Sequence, residues 1–117
     1  MNPIPIIQGA LLGDTLAVLY KVPTTDLMKT KVVCLTSMRL CNTSATARKV
    51  TVHIVPPDET PTPANRRFDQ QPVEAAGEED SSAFFVLNDA LLPGTTIRAF
   101  CDAANAVAIS VNGASYP

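Results

Sequence analysis

KVVCLTSMRLCNTSATARKVTVHIV, Lys31 to Val55, reads as two long β-strands joined by a small-polar turn. In the second strand Val50, Val52 and Ile54 alternate with Thr51, His53 and Val55, the period-two pattern of a sheet with one buried face. Asn42-Thr43-Ser44-Ala45-Thr46 is the connection, because Asn, Ser and Thr side chains bond their own backbone and Asn tolerates positive φ. Two adjacent strands of this length with no helical period between them point to an all-β module.

The same alternation extends outward. Leu12-Gly13-Asp14-Thr15, Ala76-Gly77-Glu78-Glu79 and Pro93-Gly94-Thr95-Thr96 are turns that open further strands. Leu16, Val18, Tyr20 and Val22 fall on one face after the first. Ile97, Ala99 and Cys101 do so after the third, with Arg98 opposite. The last strand runs from Ala106 to Asn112, with Val107, Ile109 and Val111 together and Asn112-Gly113 as its terminator. Asp26 to Met28 and Asn88 to Leu92 are each expected to form at most one turn of helix. The expected fold is an antiparallel β-sandwich of about six to eight strands, jelly-roll-like or immunoglobulin-like. The expected core is Val18, Tyr20, Val32, Cys34, Met38, Leu40, Val50, Val52, Ile54, Phe84, Val86, Ile97, Val107, Ile109 and Val111.

Composition sets the class. A chain of 117 residues with 46% hydrophobic side chains is long enough for one core and one domain. A net charge of −2 gives no basic field, so attraction to a nucleic-acid backbone is not expected. No run approaches the roughly 18 apolar residues of a membrane-spanning helix, and the first ten residues lack the features of a secretory signal. A soluble protein made in the cytoplasm is expected.

Two segments stand apart. In residues 1–10, Pro3 and Pro5 interleave with Ile4, Ile6 and Ile7, which disfavours helix and gives an extended apolar arm that something must cover. Two readings stand: a first strand along the domain's own sheet, or an arm that packs on a neighbouring subunit. In the second reading Ile4, Ile6 and Ile7 bind the partner. Residues 11–117 form the sandwich, with an insertion loop at 56–82. That insertion holds five prolines, and its two arginines against seven acids give −5, leaving +3 on the remainder of a chain whose total is −2. Within it Arg66, Arg67 and Phe68 have the composition of an interface anchor. The alternative is that Arg66 to Val73 is a short edge strand with Phe68 in the core.

Catalytic and metal sites are not expected. His53, the single histidine, falls opposite Val50, Val52 and Ile54 as a partly exposed sheet residue, and no nucleophile–base–orienter set accompanies it. Cys34 and Cys41, seven apart on one strand, should face opposite sides roughly 23 Å apart. Cys101 makes the thiol count odd, so neither a disulfide scaffold nor zinc spacing is present. Glu78-Glu79-Asp80 lacks the alternating ligands of a calcium loop. No phosphate-binding loop is present, and no cofactor is expected.

Leu19-Tyr20-Lys21-Val22-Pro23, the strand Val32 to Leu40 ending in Cys41-Asn42-Thr43-Ser44, the strand Val50 to Pro56, and Leu92-Pro93-Gly94-Thr95-Thr96-Ile97-Arg98-Ala99 resemble the small β-sandwich accessory proteins of tailed-bacteriophage particles. The resemblance covers about Leu11 to Gly113; Pro56 to Pro63 has no counterpart in it. It implies a virion component; taken with it, the expected role is a decoration or cement protein on the capsid surface, bound to the major capsid protein as a homo-oligomer, a trimer being the expected form. A neck, tail or baseplate part is the alternative within structural roles. A host-receptor or carbohydrate-binding module is the alternative from another class, weakened by the absence of Trp and the presence of two Tyr.

Overall fold

Eight antiparallel strands build two four-stranded sheets in a computed structural model that describes residues 2–24, 32–78 and 81–116. They are β1 (Asn2–Leu11), β2 (Ala17–Lys21), β3 (Val32–Asn42), β4 (Arg48–Val55), β5 (Arg66–Val73), β6 (Ser82–Leu91), β7 (Thr96–Cys101) and β8 (Val107–Tyr116). One 3-10 turn, Pro63–Asn65, precedes β5. The sheet orders are β1-β8-β3-β6 and β2-β7-β4-β5. The pairs β1–β8, β2–β7, β3–β6 and β4–β5 are nested, so the chain is one long antiparallel ribbon wound over itself. That topology is the jelly roll, not the immunoglobulin sandwich. Among the described residues no helix is long and apolar enough to cross a membrane.

Alternation places most of the core. Val50, Val52 and Ile54 lie opposite Cys101, Ala99 and Ile97 and face inward, as Leu40 and Met38 do opposite Ile109 and Val111. At about 25 cal/mol per Å², each fully buried Leu or Ile side chain contributes about 1.5–3 kcal/mol. The turn between β3 and β4 is held by Asn42, whose Nδ2 donates to the carbonyls of Thr46 and Val73 and whose Oδ1 accepts from the Ser44 amide and hydroxyl.

Several expectations are corrected. β1 is no separate arm: it pairs along β8, and Ile6 and Ile7 are buried in the protein's own core with Ile4 packed beside them. The insertion is not a loop throughout, since β5 occupies Arg66–Val73 as the edge of the second sheet. Asn88 to Leu91 continue β6 and form no helical turn; Asp26 to Met28 lie outside the described residues. Val18, Phe84 and Val86, expected inside, are 53%, 57% and 80% exposed. In β6 the run Ala83-Phe84-Phe85-Val86-Leu87 is apolar on both faces, and the odd-numbered residues are the ones that point inward. Val18 lies on the edge strand β2, where a register shift separates it from Tyr20. Tyr20, Cys34 and Ile54 are half-buried, and the Val32 side chain is outside the description.

A bulge at Thr36 adds one residue to β3 relative to β8, so the inward positions change from Val33 and Leu35 to Met38, Leu40 and Asn42. Cys34 and Cys41 therefore share the outer face, contrary to the expected opposite sides. All three cysteines are free. β8 runs through Asn112 and Gly113 without stopping. A Cβ on Gly113 would sit 2.7 Å from the Cys34 carbonyl oxygen and 3.1 Å from the Ile6 side chain, so glycine is present for close approach and not as a terminator.

Candidate interaction surfaces

Arg66, Arg67 and Phe68 open β5, where Val52 opposes Phe68 and His53 opposes Arg66. The Phe68 ring turns into the sandwich and meets Phe85 of β6, with centroids 4.7 Å apart and a tilt of 49°. Arg67 lies over Phe68 at 5.0 Å, and its Nε donates to Asp89 Oδ2 across 2.8 Å. Arg66 bonds Asp69 at 3.3 Å on the same strand. Arg67 and Phe68 thus join the free edges of the two sheets, and the side chains of Arg66 and Arg67 are equally exposed, at 38% and 39%. Two shallow hollows of about 400 and 300 Å³ flank this seam. The larger is lined by Gln71, Glu74 and Ser82 beside Phe84 and Phe85, the smaller by Asn65, Arg66, Arg67 and Asp89.

His53 corrects another expectation. Its alternation is as read, opposite Val50 and Val52, yet it is 4% exposed. The 3-10 turn packs on the outer side of β4, and His53 Nδ1 lies 2.8 Å from Asn65 Oδ1. That oxygen also accepts from the Thr62 amide, while Asn65 Nδ2 donates to the Thr60 carbonyl. An amide so oriented presents an acceptor to the imidazole, so Nδ1 carries the proton. His53 is a clasp for the proline-rich segment. Thr51 and Val55, on the same side of β4, are buried with it. Among the described residues no group of three or more His, Cys, Asp or Glu is placed to hold a metal ion.

The outer face of β1-β8-β3-β6 is the surface that the sequence patterning misassigned. Its register rows are Leu11, Ala108, Cys41 and Ser82; then Ser110, Arg39 and Phe84; then Pro5, Asn112, Ser37 and Val86; then Pro3, Ala114, Cys34 and Ala90. Arg39 is the single charged residue in those rows, and its guanidinium sits over the Phe84 ring at 5.6 Å from the centroid. Among the described residues, a four-strand face with one charge and three large exposed apolar side chains, Leu11, Phe84 and Val86, has the character of a contact surface. The signal for it was present as the double-sided apolar run of β6. Reading it required knowing which side of that strand faces the core.

Ile4, Ile6 and Ile7, expected on a partner, are not brought to this face. They cover the core from the β1 edge instead. No protein-family model matches the chain, and no curated protein matches it.

Proposed function

We propose that the chain is a structural virion protein of a tailed bacteriophage, a decoration protein that binds between major capsid subunits and stabilises the head. The observation that carries this reading is the outer face of β1-β8-β3-β6, where Phe84 and Val86 stand exposed in a field with one charge. Such a face suits a broad, dry protein contact better than a small-molecule site. The jelly roll is compatible with viral shell and lectin modules alike, so the fold alone does not choose between them. The resemblance of the strand and turn motifs to those of phage accessory proteins favours the shell.

The mechanism is mass action. A protein that binds the assembled lattice and not its separated subunits stabilises the lattice by the free energy of that binding, repeated over many copies. In this reading Phe84 and Val86 supply apolar contact, and Arg39, laid over Phe84, supplies a charge-assisted bond to a shell carboxylate.

Quantitative mass spectrometry of purified particles tests the proposal. One copy per shell subunit, or one per few, supports decoration. One in tens or below moves the protein to the neck or tail, and absence from particles overturns the virion reading.

A further inference from the structure

Four strand edges bound the two sheets, and three of them are blunted. β1 carries Pro3 and Pro5 and two register shifts. β2 is five residues long with one shift. β5 carries Arg66, Arg67 and Pro72, two shifts, and Gln70 at φ 51°. Prolines, cations, bulges and shortness are the devices that stop an edge from pairing with another chain. β6 is ten residues long, has no proline and no basic residue, and keeps a regular ladder from Ser82 to Val86. Its single register shift falls beyond Val86, and its one charged residue, Asp89, is held by Arg67.

We infer that a second copy of this chain pairs antiparallel with β6 about a two-fold axis at Phe85, joining two β1-β8-β3-β6 sheets into one of eight strands. Opposed residues in an antiparallel ladder share a face, so a two-fold ladder here centres on a residue. Centred on Phe84, it sets Val86 against the partner copy's Ser82. Centred on Val86, it sets Phe84 against Asn88. Centred on Phe85, it sets each Phe84 opposite the other copy's Val86, so both exposed apolar side chains meet apolar ones. No charge lies between Ser82 and Asn88, so this register brings no like charges together.

The contact closes on itself, because a two-fold operation uses the β6 edge of both copies and the opposite edge, β1, is blunted. A dimer results and not a fibre. The paired segment, Ser82 to Asn88, is about 23 Å long, its last two residues lying in the shifted part of the ladder, and burial is on the order of 1,000 Å² in total, the low end for specific interfaces. A weak dimer is expected, in place of the trimer expected of a decoration protein. The inference goes beyond the virion reading and is read in buffer without particles, so either can fail alone.

Sedimentation equilibrium from 1 µM to 1 mM tests it on the wild type, Val86→Lys and Phe84→Lys. Both positions are exposed, and unchanged thermal melts will show that the variants fold. The wild type is expected to dimerise and both variants to weaken dimerisation at least tenfold, since a lysine at either position faces an apolar partner and Arg39 lies next to Phe84. A wild type that stays monomeric at 1 mM overturns the inference, as does a dimer that neither variant weakens. Register is read by mixing Phe84→Cys with Val86→Cys in a Cys34→Ser, Cys41→Ser background. Oxidation should cross-link the mixture more than either variant alone, and equal cross-linking overturns the Phe85 axis.

Discussion

Arg67 on β5 donates to Asp89 on β6 across 2.8 Å, tying the free edge of one sheet to the free edge of the other. The Phe68–Phe85 contact lies beside it, 4.7 Å between centroids. The two links differ in energy. The ion pair is partly solvated and is worth under about 1 kcal/mol, whereas a packed aromatic contributes its buried area and about 0.5–1.5 kcal/mol of ring contact. Phe68→Ala is expected to lower unfolding free energy by about 1.5–3 kcal/mol and Arg67→Ala by less than 1. Urea denaturation of both decides it; equal losses would mean that the ion pair holds the seam.

The clasp at His53 gives a second expectation. Asn65→Ala removes three hydrogen bonds and leaves the buried His53 Nδ1 proton without an acceptor. An unsatisfied buried donor costs about 1–3 kcal/mol, and the proline-rich segment loses its attachment to β4. The variant should melt earlier and be cut by protease within residues 56–65 before the rest of the chain. Uncut protein with a wild-type melt would remove His53 from this role.

These two contacts also mark what the sequence made legible. Alternation at Val50, Val52 and Ile54, and again at Ile97, Ala99 and Cys101, was enough to assign faces, because Thr51 and His53 separate the first set and Arg98 marks the outer side of the second. It failed in β3, where the bulge at Thr36 changes phase in the middle of the strand and puts Cys34 and Cys41 on one side. It failed in β6, where both faces are apolar. The edge strand β5 was one of two open readings because its two register shifts erase any period. The burial of His53 depends on a segment folded over it from elsewhere, which no local pattern encodes. The outer face was legible only in part: β6 carried its apolar signal, but the face is assembled from four strands distant in sequence.

Gly113 gives a third expectation. Its missing side chain lets β1 and β3 close on β8, with no room for a methyl group between the Cys34 carbonyl and Ile6. Gly113→Ala forces the backbone apart and should cost about 1–3 kcal/mol. Gly9, at φ 59° with open space around it, offers a contrast: Gly9→Ala strains the backbone without a clash. Hydrogen exchange separates the two, with Gly113→Ala expected to accelerate amides of β1 and β3 together. Unaltered protection in β3 would contradict the close approach.

The thiols give a fourth. Cys101 is fully buried and burial pushes its thiol up from the ordinary value, while Cys34 and Cys41 are half-buried on the outer face. In native protein two thiols should react with an alkylating agent and the third only on unfolding. Because folding raises the Cys101 pKa, the neutral thiol's contribution to stability is fully present below the unfolded value of about 8.5 and is lost as pH rises through the folded one. Burial raises the Tyr20 hydroxyl in the same direction. The melting temperature should therefore fall on the alkaline side, and Cys101→Ser should react at two sites under all conditions. Fast native labelling of all three thiols would place Cys101 outside the core.

Residues 1–8 decide between an arm and a strand. An arm that docks on a neighbour can be deleted with loss of binding and no loss of fold. A β1 paired along β8 cannot, because deletion uncovers the β8 edge and removes Ile6 and Ile7 from the core. Those two side chains alone are worth about 3–6 kcal/mol at about 1.5–3 kcal/mol each, against a total stability of about 5–15 kcal/mol for an ordinary domain. The truncated chain is expected to be largely unfolded or aggregated, and Ile6→Ala with Ile7→Ala to lower the melt by a comparable amount without touching the backbone ladder. A truncated protein with a cooperative, wild-type melt would restore the arm, and with it a role for Ile4, Ile6 and Ile7 at a partner.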